Sequence, residues 1–418
     1  MSDDSPRSRA EPVAVGPTRQ RKSRAERIRV ERRRRQYRRR RRIVGGTGAV
    51  LLTAIALAAI FIGSRLWHGA SGPVTDYRGE GKRELIVEVK LGDSTTTIGE
   101  TLQKQGVIAT VPVFLEAARD STEIASIQPG FYLLRNEIPA AAAVQQLTDP
   151  ESRVGKLVIP EGRQLDDITD MKTAGVTPGV LTLIEQASCV ELNGDRHCVA
   201  TDDLRRAAQT ATPAALAVPD WAGPAVLRMG NDHRRIEGLI TAGAWNVNPA
   251  GSAQDILAVL IGGSAAEMAK AGLPSTAEPL HMSPYELLVV ASLVQREALP
   301  QDFAKVSRVI YNRLAESQRL EFDSTVNYPL DRQEVATTDA DRAKETPWNT
   351  YAGDGLPATP ICSPGTDALE AAEHPEPGDW LYFVTIDKQG TTLFTHSYQQ
   401  HLTNIKLALH NGVLDSSR

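Results

Sequence analysis

The stretch Leu287–Pro300, "LLVVASLVQREALP", decides the fold class of the second half of this chain. Its first nine residues carry no charged side chain, and an Arg and a Glu then stand just before the final Ala-Leu-Pro. Just upstream, Ser283 is a typical helix N-cap, a Pro occupies the first helical position and a Glu follows three residues after the cap. The sequence therefore predicts a core helix that begins after Ser283 and ends near Glu297.

Glu297 is the unusual residue of this helix. Leu287, Val290, Val294 and Ala298 form an apolar stripe at helical spacing, and Glu297 lies at its edge. Partial shielding from water disfavours the charged carboxylate and raises its pKa, which would let it donate a proton near neutral pH. The alternative is a side chain that reaches solvent from the last turn, as most glutamates do.

Three further segments follow the helix. A second amphipathic helix is predicted for "FAKVSRVIYNRLAES" (303–317), an extended run for "RLEFDSTVNY" (319–328) and a β-hairpin for "WLYFVTIDKQGTTLFTHS" (380–397). The mixture of helices and strands makes the fold class α+β.

The order of these segments resembles the motifs of the YceG-like family of endolytic murein transglycosylases. Four family patterns, "ASIVEKE", "LQSDPTVxY", "YNTYxxxGLPPGPIxNPG" and "YLYFV…G…F", are matched by "ASLVQRE" (291–297), "LEFDSTVNY" (320–328), "WNTYAGDGLPATPICSPG" (348–365) and "WLYFVTIDKQGTTLF" (380–394). A fifth, "EGxLxPxTY", is echoed by "EGLITAGAW" (237–245). The resemblance spans about residues 85 to 405.

Several positions depart from the family pattern. Gln295 replaces the first acid of "EKE", which leaves Glu297 as the acid that could be catalytic, and Ser324 stands where the family usually has Pro. Ala358-Thr359 replaces Pro-Gly, and Ala242–Trp245 replaces the "PxTY" piece. These changes bear on the shape of the glycan groove.

The resemblance implies a lytic transglycosylase that cuts nascent peptidoglycan strands internally and so ends their elongation. Glu297 would protonate the oxygen between N-acetylmuramic acid and N-acetylglucosamine, and the muramic acid's own 6-hydroxyl would then close a 1,6-anhydro ring. The matched motifs place six residues in candidate substrate-binding positions: Asp323, Ser324, Thr325, Asn349, Thr350 and Tyr351.

Two other functions stay open. A muramidase-type hydrolase would use Asp323 as a second carboxylate beside Glu297, whereas Asp323 could also be a turn residue. A non-catalytic scaffold would bind glycan and recruit cell-wall synthases. No metal or other cofactor is expected, because His374, His396 and His401 lack the spacing of a metal site.

The N-terminal region predicts a membrane anchor. Residues 1–42 hold 17 basic and 5 acidic side chains, whereas the rest of the chain holds 30 and 46. Residues 43–64 carry no charge and, as a helix, are long enough to span about 30 Å of hydrocarbon. The arginine run predicts a cytoplasmic N-terminus and a single-pass protein of the inner (plasma) membrane, with the catalytic domain outside the cytoplasm.

The expected partners follow from this arrangement. They are peptidoglycan glycan strands, membrane lipid, and peptidoglycan synthases or other division and elongation proteins. Arginine clusters also bind nucleic acid, but a run that abuts a membrane span favours a role in topology and in contact with anionic lipid. Nucleic acid is therefore not an expected partner.

The domain order follows the composition. Residues 65–84 predict a linker, and residues 156–410 predict the larger α+β catalytic domain. Residues 85–155 predict a small α+β module with a strand, two helices and a second strand, an arrangement that resembles the LysM-like domain. Within the catalytic domain, residues 155–168 predict a strand that leads into a helix, and residues 186–230 an insertion or mobile loop. An Asn-Gly turn between Cys189 and Cys198 favours a disulfide that pins a hairpin, and Cys362 is expected to be structural.

Overall fold

The structure is a computed structural model, and it describes residues 76–170, 173–330, 332–333 and 337–413. The predicted basic tail and transmembrane segment, and residues 65–75 of the predicted linker, lie outside the described residues. Among the described residues, no single helix is both long and apolar enough to cross a membrane. One bent pair, Ala253–Ala271 with Leu273–Leu280, has sufficient length and apolar character when taken together.

The N-terminal module has its own hydrophobic core. Strands β1 and β2 pair antiparallel over their full length, and β3 adds to β2. Val87 and Tyr132 are among the strand residues buried with the helices in one cluster. The elements are β1 (Glu84–Val89), α1 (Thr95–Lys104), α2 (Val111–Arg119), β2 (Gly130–Arg135), α3 (Ala140–Thr148) and β3 (Arg153–Val154). The predicted order of one strand, two helices and a strand is present, and the likeness to LysM stays a prediction.

The catalytic domain has a second, larger core made mostly by helices. Its strands form small separate sheets, in which Lys156–Ile159 pairs with Gly243–Asn246, Ile168–Asp170 lies between Arg332–Gln333 and Val176–Thr177, and Val190–Leu192 pairs with Asp195–His197. The first elements are β4 (Lys156–Ile159), β5 (Ile168–Asp170), β6 (Val176–Thr177), α4 (Val180–Ser188), β7 (Val190–Leu192), β8 (Asp195–His197), α5 (Thr201–Thr210), α6 (Gly223–Arg228), β9 (Gly243–Asn246), α7 (Ala253–Ala271) and α8 (Leu273–Ala277). The α+β class expected from the sequence is therefore confirmed.

The second half of this domain carries the matched motifs. Its elements are α9 (Pro284–Glu297), α10 (Phe303–Ala315), α11 (Asp323–Asn327), β10 (Arg332–Gln333), α12 (Asp339–Arg342), α13 (Thr366–Glu373), β11 (Tyr382–Thr385), β12 (Thr392–Thr395) and α14 (Tyr398–His410). Strands β11 and β12 form the predicted hairpin, with Phe383 opposite Phe394.

Helix α9 is the centre of the catalytic domain. The predicted start is confirmed, because Ser283 and Glu286 form a capping box. Every residue from Leu287 to Val294 is buried, and α8, α10, α11 and α13 all contact the helix. The predicted stripe is buried at Leu287, Val290 and Val294, and the other faces of this part of the helix are buried as well.

Two local predictions are also wrong. Residues 163–167 are not helical, because their backbone groups bond elsewhere: the N–H of Leu165 donates to Glu237, and the carbonyls of Gln164 and Leu165 accept from the start of α4. The run 319–328 is not extended throughout, since Asp323–Asn327 forms a helical turn in which the N–H of Tyr328 donates to the Ser324 carbonyl.

Residues 186–230 are folded rather than a loop. They comprise the end of α4, the β7–β8 hairpin and helices α5 and α6. Leu204, Ala208 and Val226 are fully buried in the catalytic core, which explains why this segment is ordered. The mobile-loop prediction is therefore wrong, and the prediction of an insertion stays untested.

Candidate active site

Helix α9 places Glu297 at its last position. The next residue, Ala298, is extended, with φ −135° and ψ 167°, so the chain turns away directly after the carboxyl-bearing residue. The side chain of Glu297 is partly buried and borders a pocket of about 220 Å³. This pocket is lined by residues of α9 and α10, by the two residues that follow α9 and by the β11–β12 hairpin, namely Arg296, Ala298, Leu299, Val306, Phe383, Thr385 and Thr392. The acid thus faces a concavity and not open solvent.

The β11–β12 hairpin is held in place by Asn312 and Arg313 of α10. Asn312 donates from its amide to the carbonyl of Trp380 at 2.9 Å. The buried guanidinium of Arg313 donates to the carbonyl of Leu381 at 2.7 Å and to that of Leu320. These contacts join the hairpin and the segment before α11 to one helix, which positions both sides of the site.

The surroundings of Glu297 favour its protonated form. Burial raises the pKa of its carboxyl, and the negative charge of Asp323 adds to the rise. Ser324 and Arg296 act in the opposite direction. The hydroxyl of Ser324 lies close to the carboxyl but has no well-formed hydrogen bond. Such an acid keeps its proton to a higher pH than an exposed glutamate does.

Asp323 is held by several donors at the start of α11. Arg342 donates from Nη2 to both carboxylate oxygens, at 3.0 and 3.1 Å, and from Nε to Oδ1 at 3.2 Å. The hydroxyls of Thr337 and Tyr351 also donate to Oδ1, at 2.7 and 2.9 Å. The Arg342 guanidinium lies 4.8 Å above the Tyr351 ring. This arrangement pairs the charge of Asp323 with that of Arg342 and fixes the orientation of the carboxylate.

Three of the six predicted substrate-binding residues lie in the interior. Thr325, Asn349 and Thr350 are at most 3% exposed. The Thr350 hydroxyl accepts from the N–H of Phe322 and bonds to the Thr325 hydroxyl. Asn349 donates from its amide to the carbonyl of Arg342 and accepts from the N–H of Tyr351. These polar groups are bonded within the protein and hold the two loops together, and the prediction that these residues contact substrate stays a prediction.

The other three predicted residues, Asp323, Ser324 and Tyr351, are partly exposed. They come together with Glu297, as the electrostatic influence of Asp323 on Glu297 and of Glu297 on Tyr351 indicates. The sequence reasoning missed Arg342 and Thr337, which contact Asp323. Neither belongs to a matched motif, and no local pattern indicates their pairing.

The departure at Gln295 has a visible consequence. Its amide oxygen accepts a 2.8 Å hydrogen bond from the N–H of Gly365, at the end of the "SPG" segment. One turn earlier, the Ser292 hydroxyl accepts from the N–H of Ile361. A neutral Gln therefore serves as a loop anchor where the family pattern has an acid.

The cysteines do not take part in this site. Cys189 and Cys198 are joined in a disulfide that closes the β7–β8 hairpin, as the sequence predicted. Cys362 is fully buried, burial raises the pKa of its thiol, and its Sγ lies 3.5 Å from the Ser292 carbonyl. Within the described part of the chain, no three His, Cys, Asp or Glu residues are grouped so that they could hold a metal ion.

Comparisons with known proteins identify the family. Residues 87–407 match the profile of the YceG-like family. An endolytic murein transglycosylase of Bacillus subtilis (strain 168) is 25% identical over 331 residues, which cover 77% of this chain and 84% of the relative. One of Streptococcus pneumoniae serotype 2 (strain D39) is 24% identical over 344 residues, covering 78% of this chain and 58% of the relative.

A solved structure agrees on the fold. The crystal structure of a yceG-like protein from Listeria monocytogenes superimposes with a TM-score of 0.50 and 24% sequence identity. The match covers 77% of this chain and 98% of that chain. With more than half of its length matched by the family profile, this chain belongs to the YceG-like family.

Proposed function

We propose that this protein is an endolytic murein transglycosylase that cuts peptidoglycan strands between N-acetylmuramic acid and N-acetylglucosamine and leaves 1,6-anhydro ends. The observation that carries the proposal is Glu297, a partly buried acid with a raised pKa beside a pocket. The names of the Bacillus and Streptococcus relatives support the same activity.

Glu297 performs two proton transfers in this mechanism. In its protonated form it gives a proton to the glycosidic oxygen, and the bond to C1 of muramic acid breaks as an oxocarbenium-like centre forms. The Glu297 carboxylate then takes the proton of the 6-hydroxyl, whose oxygen bonds to C1. The acid is regenerated, and no water is consumed. Because the nucleophile is part of the substrate, the entropy loss of bringing in a second reactant is avoided.

The substrate contacts are assigned to the partly exposed residues. The Tyr351 ring and the exposed part of Ser324 border Glu297 and could contact a sugar there, whereas Thr325, Asn349 and Thr350 hold the two loops in place. A sugar ring that binds beside Glu297 would displace water from the pocket. The loss of water would disfavour the charged carboxylate further and so favour the protonated acid.

The cellular setting is part of the proposal and rests on the sequence alone. The charge-free stretch 43–64 after an arginine-rich tail supports a single-pass inner-membrane protein whose catalytic domain lies outside the cytoplasm. The LysM-like module at 85–155 would add a glycan contact. Peptidoglycan synthases and other division or elongation proteins are the proposed partners.

The test compares full-length wild type with Glu297→Gln in detergent on uncrosslinked glycan strands. Loss of a general acid should reduce strand cleavage by roughly 10²- to 10⁴-fold while the Gln preserves size and polarity. The matched control is Glu316→Gln, an exposed glutamate at the end of α10 that should cleave like wild type.

Mass spectrometry of the released ends separates the alternatives. Anhydro ends support the transglycosylase, whereas reducing ends would assign a muramidase-type hydrolase. Wild-type cleavage by Glu297→Gln would contradict the proposed role of this acid. Absence of cleavage by every form, with glycan binding intact, would favour the scaffold.

A further inference from the structure

Asp323 is the one residue of the matched motifs whose carboxylate neighbours Glu297, yet its environment does not suit a catalytic base. Thr337, Tyr351 and Arg342 converge on its Oδ1, and Arg342 also donates to Oδ2. The side chains of Arg342 and Asp323 are only 22% and 26% exposed, so solvent screens their ion pair weakly. Its lone pairs and its charge are therefore engaged within the protein.

Hydrolysis of the same glycosidic bond would need the Asp323 carboxylate to be free to accept a proton from water. Glu297 would give its proton to the departing oxygen, water oxygen would bond to C1, and a second carboxylate would accept the proton of that water. The Asp323 carboxylate already accepts hydrogen bonds from a guanidinium and two hydroxyls, so its oxygens are occupied and are not placed to take a proton from water. Removing the hydrogen bonds from Arg342 would leave the Asp323 carboxylate able to act as the base.

We propose that Arg342 is a positioning residue that withholds Asp323 from the reaction, so that Glu297 acts alone and the 6-hydroxyl, not water, attacks C1. This inference rests on the proposed function. Arg342 is suited to the task because its planar guanidinium matches both oxygens of the carboxylate and also stacks on Tyr351 at 4.8 Å. Asn349 holds the backbone of Arg342 in place, because its side-chain amide donates a 3.0 Å hydrogen bond to the Arg342 carbonyl.

Asp323 also acts on Glu297 electrostatically, because its negative charge helps to raise the pKa of the Glu297 carboxyl. The charged or titratable groups that influence Glu297 come from three helices and one loop, and they are Arg296, Arg313, Asp323 and Tyr351. The hairpin residues on the other side of the pocket, Phe383, Thr385 and Thr392, carry no charge. Loss of Arg342 would leave the negative charge of Asp323 uncompensated and favour a still higher pKa at Glu297.

The experiment uses the full chain in detergent with uncrosslinked glycan strands and compares wild type with Arg342→Gln. Two quantities are measured: the ratio of reducing to anhydro ends, and the pH at which kcat/KM falls on the alkaline side. We expect the ratio to rise on the order of tenfold or more, since a positioned base contributes roughly 10²- to 10⁴-fold. The pH at which kcat/KM falls on the alkaline side should move to a higher value.

Two further variants separate this role from a purely structural one. Arg319→Gln is the matched control, because Arg319 pairs with Asp354 at 2.8 Å and contacts the carbonyl of Tyr351 without touching Asp323. It should keep the wild-type ratio and pH limb. Arg342→Gln combined with Asp323→Asn should return the ratio to the wild-type value, because the released base is then absent.

The outcomes are distinct. The inference would be overturned by a folded Arg342→Gln variant that keeps both the wild-type ratio of reducing to anhydro ends and the wild-type pH at which kcat/KM falls, even if its rate is lower. Persistent reducing ends in the double variant would overturn it as well. If Arg342→Gln does not fold, Arg342→Lys replaces it, with a smaller rise expected and the wild-type ratio as the contrary result. Reducing ends from wild type itself would instead overturn the proposed function.

Discussion

The hydroxyl of Tyr328 donates a 2.7 Å hydrogen bond to Oε2 of Glu237, and both side chains are buried. The two residues are 91 positions apart in the sequence and belong to two different matched segments, "EGLITAGAW" and "LEFDSTVNY". Oε2 of Glu237 also accepts from the N–H of Leu165 at 3.0 Å. This buried group thus connects the segment after β4, the turn before β9 and the end of α11.

Removal of the Tyr328 hydroxyl should destabilise the protein. Tyr328→Phe removes one of the two hydrogen bonds that Oε2 of Glu237 accepts, which costs about 1 kcal/mol in the free energy of unfolding. Urea unfolding of the full chain in detergent measures the change. Tyr398→Phe is the matched control, because Tyr398 is 58% exposed and its hydroxyl should contribute little. Equal stability of the two variants would contradict the importance of the buried bond.

The stability of the protein should fall between about pH 5 and pH 8. Burial raises the pKa of Glu237 to about 8. An unfolded Glu titrates near 4.3, so the folded state binds the extra proton between these two values. Its contribution is fully present below the unfolded pKa and is lost as pH rises through about 8. The slope is at most about 1.4 kcal/mol per pH unit.

Glu237→Gln tests this assignment, because the amide keeps the shape and does not titrate. The free energy of unfolding of this variant should vary less than that of wild type across pH 5, 7 and 9. A variant with the same pH dependence as wild type would place the titrating group elsewhere.

Local sequence signals predicted the parts of the fold that depend on residues close together in the sequence. Ser283, the following Pro and Glu286 lie within four positions, so the start of α9 could be read directly, and Glu297 then fell at its end. The Asn-Gly turn similarly predicted the hairpin that Cys189 and Cys198 close.

The features that the sequence did not predict depend on distant partners. Arg342 and Asp323 are 19 positions apart and follow no helical or strand period. In the sequence, Thr325 and Thr350 look like residues that contact substrate. Their hydroxyls bond to the backbone of Phe322 instead, and the sequence alone does not distinguish a hydroxyl that bonds to the backbone from one that bonds to a sugar. Residues 163–167 had a helical pattern, but tertiary hydrogen bonds at Leu165 outweighed it.

Opening the disulfide should loosen the contact between the hairpin and the N-terminal module. The bond spans nine positions, and Asn193 at the hairpin tip exchanges two 2.8 Å hydrogen bonds with Glu84 of β1. Replacing Cys189 and Cys198 with Ser should lower the free energy of unfolding by about 2–3 kcal/mol or less. Reduced wild type should match the double Ser variant in urea unfolding. Unchanged stability in both would mean that the hairpin is held by its other contacts.

Ser324 should set the upper pH limit of cleavage through its effect on Glu297. Its side chain and backbone lower the pKa that burial raises, so Ser324→Ala should leave Glu297 protonated to a higher pH. In the proposed mechanism the first step needs the protonated acid, and the alkaline limb of kcat/KM reports the pKa of that acid in the free enzyme. The limb should therefore move to higher pH in Ser324→Ala, whereas Ser317→Ala, an exposed serine after α10, should leave it in place. A limb that moves to lower pH would mean that Ser324 stabilises the protonated carboxyl, which would reverse the assigned direction.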